Sequence, residues 1–204
     1  MRKNSRRLSR IIALSTVLVL ATAAMPAKVF GATYSYWYTV SRTVDNQYAY
    51  AYATWTVYKI DGSSTNVFIN VQGSVQKKGI YHLLRFEPWM KRSSGSSTLG
   101  NWSPGSWQPS GDGQTINFSL TYMGATISTS FTGYSEGYQP YAASNHYSLE
   151  WRGIRTNTNT VGNEAVTRWY NYSSSGLSFG ICGRSLYYAI RTEYQWGSCG
   201  NRTR

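Results

Sequence analysis

The sequence is short of the residues that usually carry chemistry. It has two histidines, His82 and His146, and two cysteines, Cys182 and Cys199. Neither pair has the close spacing of a zinc-ligand set, so no metal and no cofactor is expected. Acidic residues number 8 against 20 Lys and Arg. No apolar run reaches the ~20 residues that span a bilayer, which argues against a membrane-crossing helix. Beyond the first ~30 residues no stretch keeps a 3.6-residue period, which argues against helical folds. The basic residues form no dense run and no recognised nucleic-acid motif, so nucleic acid is not an expected partner.

What the chain does have begins at its first residues. Arg2, Lys3, Arg6, Arg7 and Arg10 precede an apolar stretch, Ile11 to Ala24, and small residues follow up to Ala32. A basic start, a short apolar run and small residues make a secretory signal peptide. Residues 1–32 are therefore expected to be removed, with cleavage after Gly31 or Ala32, and 33–204 to be the secreted domain. The signal carries six of the basic residues and none of the acidic ones. Without it, 14 basic residues face 8 acidic ones, a net charge of +6. A surplus of that size favours anionic surfaces, though it also serves solubility. In an oxidising compartment the two cysteines are expected to form one disulfide, Cys182–Cys199.

All 18 Tyr and all 8 Trp lie after residue 33, amid Ser, Thr, Asn and Gly. Many occur at period two. Tyr34, Tyr36, Tyr38 and Val40 alternate with polar residues and Trp37. Tyr48 to Tyr58 puts tyrosines and threonines on one face and Ala49, Ala51, Ala53, Trp55 and Val57 on the other. Further strands are expected at 67–75, with Gly73 a bulge, and at 80–86, 147–151, 166–172 and 186–196. Ile116 to Tyr122 and Ala125 to Phe131 read as a hairpin turning at Met123-Gly124. Nine or so short strands between turn signals predict an all-β chain, a single antiparallel β-sandwich or barrel-like domain.

The stretch 93–113, rich in Ser, Gly and Pro, reads as a long loop carrying Trp102 and Trp107. The stretch 133–144 reads as irregular and carries Tyr134, Tyr138 and Tyr141. Aromatic rings that are hard to bury are suited to stacking on sugars or settling at membrane interfaces. Lys91 and Arg92 supply charge beside the first loop. These seven residues are the expected ligand contacts of a non-enzymatic, secreted protein that binds a cell-wall polymer, a glycan or an anionic membrane.

Two other readings compete. The hairpin Thr115 to Phe131 alternates apolar residues with Ser and Thr, as a membrane-active, pore-forming toxin or bacteriocin would need. Glu87 and Glu150, each beside aromatics, are the carboxylate pair a glycan-cleaving hydrolase would use. Gly133-Tyr134-Ser135-Glu136-Gly137 matches the nucleophile elbow G-x-S-x-G. Yet Tyr138-Gln139-Pro140-Tyr141 is a poor helix start, and the elbow needs a strand-to-helix turn. It reads as a glycine-rich loop.

Overall fold

The computed structural model describes residues 32–110, 113–133, 136–156 and 160–199. The expected signal peptide, apart from Ala32, lies outside them, as do Tyr134 and Ser135. Thirteen strands follow in order: β1 (Tyr34–Asp45), β2 (Ala49–Ile60), β3 (Val67–Lys77), β4 (His82–Arg92), β5 (Thr98–Ser103), β6 (Gln108–Ser110), β7 (Thr115–Tyr122), β8 (Ala125–Thr132), β9 (Glu136–Ala143), β10 (His146–Arg155), β11 (Val161–Tyr170), β12 (Leu177–Tyr187) and β13 (Thr192–Gly197). One 3-10 turn, Tyr188–Ile190, separates the last two.

The strands form an antiparallel β-sandwich. Sheet A has the order β1-β2-β3-β11-β5, and sheet B the order β13-β12-β4-β10-β9-β6. Strands β7 and β8 pair only with each other among the described strands. The alternation of β2 works as expected: Ala49, Ala51, Ala53, Trp55 and Val57 are fully buried. Trp55 meets Phe179 of the opposite sheet at 5.3 Å between ring centroids. Trp151, Trp169, Tyr138, Tyr147 and Phe86 complete a core of large rings. Truncating one of the buried tryptophans to Ala would cost about 3–5 kcal/mol.

Four local expectations change. The long loop 93–113 contains β5 and β6. The irregular stretch 133–144 contains β9. The expected strand 186–196 is broken at Tyr188–Ile190, where Arg191 turns the chain with φ 52°. Gly73 makes no bulge, because it pairs in register with Ala53 and Asn163. It is glycine for another reason: a Cβ there would meet the Phe86 ring at 2.8 Å. Register shifts fall elsewhere, in β1 between Tyr36 and Tyr38 and in the ladders of β4 with β10 and β12 and of β11 with β5.

The β7–β8 turn is as the sequence predicts. Met123 and Gly124 both have positive φ, 52° and 82°, the two-residue turn that suits the twist of a hairpin. The hairpin lies over the outer face of sheet A. Arg168 of β11 sits 4.0 Å from the Tyr122 ring centroid, and Thr129 hydrogen-bonds Glu164 of β11. At the other edge of the molecule, Cys182 and Cys199 form a disulfide. Closing a loop of sequence separation 17 contributes about 3 kcal/mol through the unfolded chain. No helix among the described residues is long and apolar enough to cross a membrane.

Candidate functional site

The outer face of sheet B gathers polar and aromatic side chains in rows that cross the strands. On β4 the alternation Arg85, Glu87, Trp89, Lys91 places four side chains on the outer face, Glu87 covered there by its neighbours, while Phe86, Pro88 and Met90 are buried. Register then sets their neighbours. Lys91 lies between Ser178 and His146, and Trp89 between Gly180 and Ser148. Glu87 lies beside Cys182, and Arg85 between Arg184 and Arg152. On β9, Tyr141 stands opposite Ser148 and Gln139 opposite Glu150. Counting the β4–β10 register from Ser148–Trp89 to Trp151–Phe86 places Glu150 directly across from Glu87.

These groups hold one another. Glu150 pairs with Arg152 and lies 3.8 Å from Arg85. Arg152 also donates to the Tyr141 hydroxyl and sits 5.7 Å from its ring centroid. Arg184 reaches Glu193 at 3.4 Å. Ser148 donates to Glu87 at 2.5 Å and lies 3.3 Å from His146 Nε2. The Trp89 ring lies on Gly180, where a Cβ would meet it at 2.3 Å, and its indole N–H donates to Ser198 at 2.6 Å. Side chains fixed in this way lose little rotamer freedom when a ligand arrives.

The structure brings only part of the expected contact set to this face. Lys91 and Tyr141 are there. Trp107, 40 % exposed, borders it, with its ring on Gly137 at the β9 edge. Arg92, next to Lys91, points the other way, toward the Ser97 carbonyl at 3.4 Å. Trp102 lies on β5 in sheet A, opposite Thr167, packed partly against the core. Tyr138 has no exposed surface: its ring packs on Phe131 at 4.8 Å and its hydroxyl donates to Gly162 at 3.1 Å. It is a core residue because period two along β9 turns it inward between Gly137 and Gln139. Tyr134 lies outside the described residues. The G-x-S-x-G stretch runs into strand β9 and not into a helix, so the geometry of an elbow is missing.

Trp89, Arg85, Arg184 and Gly180 belong to the face although they were not among the expected contacts. The period-two series Arg85, Glu87, Trp89, Lys91 was the signal that would have found the first two. Among the described residues no three His, Cys, Asp or Glu side chains converge as a metal site would require. His82 lies at the opposite end of β4, stacked on Tyr188 with centroids 5.5 Å apart.

No protein-family model and no curated protein matches this sequence. The class is therefore set by architecture: an antiparallel β-sandwich with one disulfide, a charged aromatic face on one sheet and a separate hairpin on the other.

Proposed function

We propose that the chain is a secreted, glycan-binding protein that holds a cell-envelope polymer across the outer face of sheet B. The observation that carries this reading is the row Arg184, Arg85, Arg152 on three adjacent strands, beside the rings of Tyr141 and Trp107, with Trp89 farther along β4 on the same face. Three guanidinium groups side by side repel one another. Glu150 and Glu193 lie against the row, and an acidic ligand would add to the pairing they supply. Planar forks that bind carboxylate or phosphate, next to rings that stack on sugars, suit a polymer carrying both. The disulfide and the expected signal peptide fit export to an oxidising compartment.

The test is sedimentation of the oxidised mature protein with peptidoglycan sacculi, with and without their anionic wall polymers. Binding is expected to be stronger with those polymers and to fall at least ten-fold in Trp89→Ala/Trp107→Ala. Unchanged binding in the double variant would sink the assignment.

A second reading rests on Glu87 standing opposite Glu150. Directly opposed side chains on antiparallel strands have Cβ atoms about 4.5–5.5 Å apart, which suits the ~5–5.5 Å carboxylate separation of retaining glycosidases. Against it, the two residues are 5 % and 2 % exposed. Both carboxylates are also engaged by neighbours, Glu87 by the Ser148 hydroxyl and Glu150 by Arg152 and Arg85. Release of reducing ends from sacculi that is lost in both Glu87→Gln and Glu150→Gln would favour hydrolysis over binding alone.

A further inference from the structure

The glycan face uses neither the hairpin nor the end of the sandwich from which the hairpin springs. We propose that the β7–β8 hairpin leaves sheet A and enters an anionic lipid bilayer, each chain giving two strands to a closed barrel of several copies.

Four observations support this. First, the hairpin shares no ladder with either sheet among the described strands, so undocking it breaks side-chain contacts and the bond from Ala32 N–H to the Met123 carbonyl at the turn, and leaves both sheets intact. Second, it contains no charged residue from Gln114 to Gly133. Packing explains the apolar face, with Ile116, Phe118, Ile127 and Phe131 buried. It does not explain an exposed face made only of Ser, Thr and Asn. Exposed strand edges ordinarily carry charge or proline to prevent pairing with other chains, and these edges have none. The faces already suit a barrel wall: the buried one would meet lipid and the exposed one a water-filled lumen.

Third, the length fits. Gly113 N–H donates to Gly133 O at 3.1 Å, and Gly133 N–H to Gln114 O at 2.6 Å. These bonds extend the ladder to arms Gly113–Tyr122 and Ala125–Gly133, and a membrane strand needs about 9–11 residues. Closure takes eight strands or more, hence about four copies at least.

Fourth, the hairpin base lies at an end of the sandwich suited to a lipid surface. Phe131 packs beside Gly162 at the start of β11, level with the start of β2 and the end of β3. At that end Tyr48 stacks on Tyr194, with centroids 4.9 Å apart, and Tyr81 packs on both. Around them Ile80, Tyr188 and Ile190 are 63, 65 and 60 % exposed. Isoleucine offers a sugar nothing to stack on or bond to, but it gains by entering lipid. Lys77 at the end of β3 and Arg191 fit anionic headgroups, while Lys78 is paired with Asp45.

The experiment uses the oxidised mature protein and phosphatidylglycerol/phosphatidylcholine vesicles loaded with dye. Hydrogen-bonded pairs recur every second residue along an antiparallel ladder. Counting from the Gly133–Gln114 bond, the N–H groups of Ser119 and Ser128 point away from the partner strand. Proline at either position spares the native hairpin but blocks pairing with a neighbouring copy. We expect wild-type protein to sediment with vesicles and release dye. Ser119→Pro and Ser128→Pro should melt and sediment normally yet release dye at least ten-fold more slowly.

A fluorophore on Leu120→Cys should report lipid, and one on Ser119→Cys should not. This measurement stands even if a proline variant fails to fold. Failure to bind vesicles, binding without release, undiminished release by both proline variants, or identical responses from the two labels would each overturn the proposal. None of these positions lies on sheet B, so such a failure leaves the glycan reading untouched.

Discussion

Gly180→Ala is the sharpest perturbation of the sheet B face, because it moves a ring without removing it. A Cβ on Gly180 would stand 2.3 Å from Trp89 Cζ2 and 2.9 Å from Nε1, whereas ordinary contact begins at 3.4 Å. The Gly180 backbone is held in ladder with β4, so the ring must give way. Rotating it off the face breaks the 2.6 Å bond from its indole N–H to Ser198. Losing that bond and straining the ring should lower stability by about 1–3 kcal/mol. Losing one stacking platform should weaken glycan binding by about 1–2 kcal/mol, or roughly five- to thirty-fold. The assay pairs sedimentation on sacculi with near-ultraviolet circular dichroism, which reports whether Trp89 has moved. A changed aromatic spectrum with affinity held within two-fold would refute the reasoning, since the ring would then have moved without consequence for the ligand.

Two other perturbations test the energetics of the fold. Burial raises the Glu164 carboxyl above its usual range, while hydrogen bonds from Thr129 and Gln72 pull the other way. A carboxyl raised on folding stabilises below its unfolded pKa, and that stability is lost as pH rises through the folded value. Glu164→Gln is therefore expected to melt higher than wild type at pH 7, by roughly 1–3 °C because solvent screens a half-exposed group. The gap should close below about pH 4, and melting curves that keep it there would contradict the assignment. The Tyr147 hydroxyl is buried and has no hydrogen-bond partner among the described residues. Removing it in Tyr147→Phe should stabilise the fold by about 1 kcal/mol in chemical denaturation. A loss of stability would mean that the hydroxyl is bonded.

Period two, two-residue turns and the cysteine pair are local signals. They were enough to read an antiparallel sandwich, the buried face of β2, the hairpin at Met123-Gly124 and the Cys182–Cys199 disulfide from residues alone. The strands missed were those whose composition imitates a loop. Strand β5 lies in a stretch rich in Ser, Gly and Pro and β9 contains Gly137 and Pro140, and their pairing with β11 and β10 supplies the order that local composition does not. That pairing also decided the sites. Tyr138 and Tyr141 look alike in sequence, yet inward-outward alternation buries one and leaves the other on the face. Glu87 and Glu150 are far apart along the chain, and only the β4–β10 register sets them opposite each other. The same holds for the arginine row, assembled from β12, β4 and β10. The sequence by itself determined which residues alternate and where the chain turns, because those follow from backbone geometry over a few residues. The tertiary structure alone decided which strands become neighbours, because long-range pairing depends on how the whole core closes.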